Sequence, residues 1–249
     1  MRTAAATRPS PGTPNDDAFV TGPNFAIVLD GATAPRSRDS GCGHDVPWLV
    51  ARVAGHTAAR LLTSTAPLPE LLADAITATR ADHADCDLSN PDSPSTTITI
   101  VRARPHGVDY LVLGDSPLLV ETAVGLSPVI DDRVDHLPDY SYDSVAKLRN
   151  SPGGFWVAST RPEAARMALT GTIPTGQARR LLLLTDGASR LVERYGFAWA
   201  DVLALAEQDG PTGLLDRVRA ADDAAEGVRG KRFDDATAVL CHIDDIDND

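Results

Sequence analysis

The chain has 249 residues, 43% of them hydrophobic and 23% charged, enough for one sizeable core. Thirty-five acidic against 23 basic side chains leave a net charge of −12. That balance argues against nucleic-acid and anionic-membrane binding, which need a basic surface, and no run approaches the roughly 18 apolar residues of a membrane span.

Residues 1–14 carry three prolines and read as a flexible tail. Asp17–Val20 and Asn24–Asp30 read as short strands joined by Thr21-Gly22-Pro23. Asp45 is placed to cap a helix with Pro47 in its first turn, and Leu49, Val50, Val53, Leu61 and Leu62 follow at near-helical spacing. A second helix is expected from Pro69 to about His83. Thr96–Arg102, Val108–Leu113 and Leu118–Thr122 read as three strands of an antiparallel meander. Residues 123–154 show no assignable pattern. Phe155–Ser159 reads as a strand, Pro162–Leu169 as a short helix and Arg180–Thr185 as a buried strand. Two helices, Trp199–Gln208 and Gly213–Glu226, precede a last strand, Ala236–Ile243. Residues 244–249 hold four aspartates and read as an acidic tail. This order is not strict β-α alternation. It predicts an α+β domain over residues 15–243, with stacked antiparallel sheets and helices outside.

The three cysteines, Cys42, Cys86 and Cys241, are odd in number and lack a C-x-x-C pair. They argue against a disulfide framework or a zinc knuckle. With no signal-like apolar run at the start, the expected location is cytoplasmic. His44 could join Cys42 or Asp45 at a metal, but so few ligands favour a loop beside a helix cap. His56 reads as packing or surface, and Trp48, Trp156 and Trp199 as partly buried aromatics.

The most informative pattern is the placement of aspartates at strand ends. Asn15-Asp16-Asp17 opens the first strand, and Phe25–Leu29 ends in Asp30-Gly31. Leu111–Leu113 ends in Gly114-Asp115-Ser116, Leu181–Thr185 ends in Asp186-Gly187, and Asp234-Asp235-Ala236-Thr237 opens the last strand. A carboxylate fixed there is partly desolvated, and several together repel one another unless a cation joins them. Hard oxygen donors suit magnesium or manganese. Any single Asp-Gly is more often only a turn; five such sites are harder to explain that way.

In this order the motifs resemble those of the type 2C metal-dependent serine/threonine protein phosphatases, the PPM family, in a bacterial-like form. Asn15-Asp16-Asp17 resembles Asn-Glu-Asp, Ser95-Thr96-Thr97 resembles Gly-Thr-Thr, and Asp234-Asp235-Ala236-Thr237 resembles Asp-Asn-x-Thr. Gly114-Asp115-Ser116 and both Asp-Gly pairs match directly. The resemblance implies a four-layer α/β/β/α sandwich of two mainly antiparallel sheets. It implies Asp17, Asp30, Asp186 and Asp234 as core ligands of two Mn or Mg ions, Gly31 as a carbonyl ligand, and Asp16 as the holder of bound water. Asp115 matches a position linked to a third ion in some members. The implied reaction is hydrolysis of phosphoserine or phosphothreonine in a protein or peptide by an activated water.

Three positions depart from the pattern. Gly12 stands where relatives carry a phosphate-clamping arginine, with Arg8 nearby. Ala32 replaces a histidine that serves some members as a candidate acid. Asp235 replaces asparagine and is expected to face the site, drawing cations and repelling phosphate. The alternative is a noncatalytic metal-binding relative acting in regulation or partner binding. A haloacid-dehalogenase-type reading fails because its nucleophilic aspartate falls at Val28, and a cysteine phosphatase lacks its Cys-Arg loop.

Overall fold

The run Leu181-Leu182-Leu183-Leu184 is apolar throughout because both faces of its strand are covered. Successive side chains on a strand point to opposite faces. Leu181 and Leu183 turn into one buried cluster with Val28, Val101, Val112 and Val239, while Leu182 and Leu184 join another with Leu191, Val202, Leu215 and Val218. Phe25–Leu29 divides in the same way. Ala26 and Val28 face the first cluster, and Ile27 and Leu29 face Leu49, Val53, Leu72 and Ile76. Three apolar layers therefore separate four layers of structure. Each fully buried leucine contributes about 1.5–3 kcal/mol.

The computed structural model describes residues 1–32, 38–83, 85–226 and 231–243. One sheet has the order β1 (Arg2–Arg8), β10 (Ala236–His242), β9 (Ala178–Leu184), β6 (Leu118–Thr122) and β7 (Gly125–Val129). The other has the order β2 (Ala18–Thr21), β3 (Phe25–Ala32), β4 (Ser95–Arg104), β5 (Gly107–Leu113) and β8 (Leu169–Pro174). Every pairing is antiparallel. Helices α1 (Val46–Thr63) and α2 (Leu68–Ala81) cover the second sheet. Helix α3 (Tyr142–Leu148) lies in the connection that follows β7. Helices α4 (Asp186–Glu193), α5 (Trp199–Gln208) and α6 (Gly210–Ala224) cover the first sheet. The expected cap is present: the Trp48 N–H donates to Asp45 Oδ1 at 3.0 Å, with Pro47 in the first turn of α1. Trp48, Trp156 and Trp199 are partly buried, as expected.

Several sequence expectations are corrected. Residues 2–8 are not a tail. They form β1, paired with β10 from Arg2↔His242 to Arg8↔Ala236. The small side chains of Thr3-Ala4-Ala5-Ala6-Thr7 hide the alternation of an edge strand. The three strands expected as one meander split between the sheets. The chain kinks at Gly114, whose φ of +87° suits glycine, and Asp115-Ser116-Pro117 carry it across to β6. Phe155–Ser159 makes only isolated bridges, Thr96↔Ala158 and Arg149↔Phe155. Asn150 takes the Val157 N–H with its side chain, at 2.8 Å, in place of a ladder. The expected helix at Pro162–Leu169 is a 3-10 turn, Pro162–Met167, followed by β8. The acidic tail 244–249 lies outside the described residues.

Candidate metal centre

The predicted site residues all lie where strands begin or end. Asp17 precedes β2, Asp30 lies near the end of β3, and Asp115 sits in the crossover between sheets. Asp186 is the first residue of α4, directly after β9, and Asp234 precedes β10. The two sheets stack, so these ends meet.

Asp17 is the most enclosed. It is 7% exposed. Its Oδ2 accepts hydroxyls from Thr185 at 2.9 Å and Thr237 at 2.8 Å. Its Oδ1 is buried without a hydrogen-bond partner. A buried carboxylate oxygen left bare is costly. The two threonines are themselves locked together, since the Thr237 N–H donates to Thr185 Oγ1 at 2.9 Å. They thus hold one oxygen of Asp17 and present the other.

Asp30 Oδ2 accepts the Asp186 N–H at 3.3 Å, the first amide of α4, where a helix N-terminus favours negative charge. The Ser95-Thr96-Thr97 motif supports this corner. Thr96 Oγ1 donates to the Asp30 carbonyl at 2.9 Å, and Thr97 Oγ1 meets Ser116 Oγ at 2.6 Å. Asp131 takes the Gly114 N–H at 3.1 Å from the other side.

The glycine of each Asp-Gly pair is required by close approach. A Cβ on Gly31 would sit 2.5 Å from the Asp16 carbonyl oxygen, and one on Gly187 would sit 1.8 Å from that of Asp235. Asp16 is brought against Gly31 in this way.

Burial and crowding push these acids up. Asp17 is raised from 3.8 to about 8, mainly by burial, with Asp186 and Asp235 adding to it against the two threonine hydroxyls. Burial, then Asp186, Asp17 and Asp115, hold Asp30 well above its ordinary value. Asp115 is raised to about 7 by burial and then by Asp186. Asp186 is raised by burial and by Asp234. Like charges drawn together and desolvated in this way are what a divalent cation would relieve.

Asp234 has a different setting. Arg190, 1% exposed on α4, donates to its Oδ2 at 3.0 Å and also pairs with the fully buried Asp222 at 3.3 Å. Lys231 Nζ lies 3.1 Å from Asp234 Oδ1. Neither cation was singled out from the sequence. Arg190 falls four residues after Asp186, one helical turn away, and that spacing is the signal that could have found it.

The three departures resolve differently. Arg8 is engaged away from the aspartates, in an ion pair with Asp216 on α6. Ala32 is exposed at the end of β3 and lines a cavity of about 240 Å³ with Asp115, Thr97, Tyr142, Arg149 and Phe155. Asp235 does not offer free oxygens to the site as expected. Its Oδ1 accepts the Ser10 N–H at 2.6 Å and its Oδ2 the Asp16 N–H at 2.7 Å. It is a clip for the segment between β1 and β2.

Two stacked antiparallel sheets with a ring of crowded, half-buried to buried aspartates at their joined ends define the metal-dependent phosphatase sandwich. Residues 6–217 match the sequence model of protein phosphatase 2C, and the chain belongs to that family of metal-dependent protein serine/threonine phosphatases. The fold is shared with several solved structures. The PPM Ser-Thr phosphatase MsPP from Mycobacterium smegmatis, in complex with cacodylate, is 19% identical with a TM-score of 0.64, covering 96% of this chain and 97% of that one. The serine/threonine phosphatase Stp1 from Staphylococcus aureus is 15% identical with a TM-score of 0.64, covering 98% and 95%. The catalytic domain of PstP, in complex with two manganese ions, is 16% identical with a TM-score of 0.59, covering 96% of each chain. Comparison with curated proteins finds no match. Among the described residues, no helix is long and apolar enough to cross a membrane.

Proposed function

We propose that this chain hydrolyses phosphoserine or phosphothreonine monoesters in a protein or peptide, with Asp17, Asp30, Asp186, Asp234 and the Gly31 carbonyl holding two manganese or magnesium ions. Asp16 stands to hold bound water, and Asp115 to serve a third ion. The observation that carries this reading is the bare, buried Oδ1 of Asp17 among acids that repel one another. All the donors are hard oxygens, which fits these cations. When bound, the cations supply a water activated near neutral pH and neutralise charge on the phosphate.

The chain's own residues do the positioning. Thr185 and Thr237 aim Asp17, the first amide of α4 orients Asp30, and Arg190 orients Asp234. Lys231 pairs with Asp234 Oδ1, and its ammonium could turn from there toward a bound phosphate. Its side chain is 76% exposed and free to do so. There it would supply a positive charge to the substrate phosphate, in the role that Gly12 cannot fill. Cys42, Cys86 and Cys241 are free thiols, which supports the cytoplasmic location that is part of the proposal.

A phosphopeptide assay tests the reading. Turnover is expected with manganese or magnesium and none in excess chelator. Turnover unchanged by chelator would overturn the metal assignment. Tight manganese binding with no turnover on phosphopeptides or aryl phosphates would leave a metal-binding domain without catalysis.

A further inference from the structure

Away from the aspartates, a second set of metal-binding side chains converges. Cys42 and His44 lie in the segment before α1, and Cys86 lies after α2. Among the described residues, the three-residue set whose donor atoms all fall within 4.8 Å of one another is Cys42, His44 and Cys86; the aspartates are spread wider. From the sequence, His44 with Cys42 or Asp45 is short of ligands and favours a loop beside a helix cap. The fold supplies the missing partner from 42 residues further along.

The geometry is that of ligands around a shared centre. Cys42 Sγ and Cys86 Sγ each lie 3.5 Å from the same atom, His44 Nδ1. One imidazole nitrogen has a single in-plane lone pair or hydrogen, so it cannot bond both sulfurs at once. A tetrahedral zinc with Zn–S of about 2.3 Å and Zn–N of about 2.0–2.1 Å would set each sulfur about 3.6 Å from that nitrogen.

The site is also built before any ion arrives. The His44 ring is stacked on Trp48, with centroids 3.8 Å apart. The His44 N–H donates to Cys42 Sγ at 3.4 Å, as backbone amides do for thiolates. The two segments are stapled by the Asp87 N–H to the Gly41 carbonyl at 2.8 Å and by Asn90 Nδ2 to the Asp39 carbonyl at 3.0 Å. All three ligands are half-buried, so an ion can reach them from solvent.

We propose that Cys42, His44 and Cys86 form a binding site for a thiophilic divalent cation, zinc above all, separate from the oxygen-ligand centre. Sulfur and imidazole donors select zinc over magnesium or manganese, so the two centres sort their ions by chemistry. Binding displaces the two thiol protons to solvent, and two thiolates neutralise the ion. The site pins the segment 38–44 to the segment 85–90. The first of these leads on from Asp30 and Gly31, and the second leads into β4, which supports Asp30. The ion would thus brace both chains that flank this corner of the aspartate site.

The test is a titration of the reduced, metal-stripped protein with cobalt and then zinc, with saturating magnesium filling the oxygen site. One equivalent of cobalt should give thiolate charge-transfer absorption and the intense visible bands of a tetrahedral site, and zinc should abolish both. Cys241 is fully buried, so a thiol reagent should count two reactive cysteines, and zinc should protect both. Cys42→Ser and Cys86→Ser should each weaken zinc binding by more than about 100-fold, beyond the loss seen for outer partners of a metal site. Folding of each variant is checked by its circular dichroism. Absence of the thiolate signature in the parent protein would overturn the proposal. So would a signature that survives Cys86→Ser, or a Cys42–Cys86 disulfide that forms equally fast with zinc present.

Discussion

Asp235 and Lys231 show how one side chain beside the aspartate cluster takes its role from its partners. Asp235 spends its carboxylate on two backbone amides, Ser10 and Asp16. Hydrogen bonds to a charged acceptor contribute about 1.5–3 kcal/mol each. In Asp235→Asn the amide group supplies one acceptor and one donor, so one of the two N–H groups loses its partner. Stability should fall by about 1–3 kcal/mol in denaturant unfolding, while the Michaelis constant for a phosphopeptide stays within about twofold. A lowered Michaelis constant at unchanged stability would instead mean that Asp235 acts on the phosphate directly. Lys231 is the converse case. Partial desolvation beside the aspartates acts to lower its pKa, but Asp234 outweighs this and holds it up, so the exposed ammonium is charged at neutral pH. Lys231→Met should raise the Michaelis constant several-fold, since one exposed charge contact is worth about 1 kcal/mol, and should not weaken metal binding. Weaker metal binding with an unaltered Michaelis constant would contradict its phosphate role.

At the scale of elements, β1 holds more than its composition suggests. It closes the edge of the sheet against β10, and its end supplies carbonyls of Arg8 and Pro9 to Arg219, which also pairs with the buried Asp222. Deleting residues 1–8 would strip β10 of a seven-residue ladder. The melting temperature should drop by roughly 5 °C or more, the shift that about 2 kcal/mol produces in a domain of this size. Removal of a true tail would leave it unchanged. The same element marks where sequence reading fails. Strands buried on both faces, such as β3 and β9, announce themselves as apolar runs, and their terminal aspartates follow. The helices α1, α2 and α5 are legible from periodicity and caps. An edge strand of alanine and threonine buries too little to leave a pattern. The crossover at Gly114 looks like any turn, because sequence does not say which sheet the next strand joins. Arg190 and Thr185 are likewise ordinary helix and strand residues until the fold sets them against Asp234 and Asp17, and Thr237, though part of a motif, shows its hold on Asp17 only in the fold. The cysteine–histidine cluster is illegible for the same reason, since Cys86 meets His44 only after α1 and α2 pack.

At the scale of the whole molecule, the aspartates make stability depend on pH and metal together. A carboxyl raised in the folded state holds its proton more tightly there than in the unfolded chain. For Asp17 the window runs from 3.8 to about 8. Within it the folded state binds a proton that the unfolded state has released, so the stability of the metal-free protein falls as pH rises. That contribution is complete below 3.8 and gone above about 8. Asp115, raised to about 7, and the raised Asp30 and Asp186 act in the same direction. The lowered carboxyls, Asp82, Asp87, Asp109, Asp139 and Glu121, have the opposite sign, but their contribution is already complete above their ordinary values of 3.8 to 4.5 and does not change between pH 5 and 8. His83, lowered mainly by burial, has the opposite sign, because its unfolded form takes a proton that its folded form resists. It is one group against five, since burial also raises Glu193. A metal binds the ionised aspartates and so competes with the protons. At 100 times its dissociation constant a ligand adds about 2.7 kcal/mol, or roughly 5–10 °C in a domain this large. Thermal unfolding in chelator should therefore give a lower melting temperature at pH 8 than at pH 5. Manganese should raise it by roughly 5–10 °C at pH 8 and by far less at pH 5, where protons already occupy the aspartates. A metal-free protein that grows more stable from pH 5 to 8, or an equal manganese shift at both, would show that the aspartates are neither crowded nor the metal's ligands.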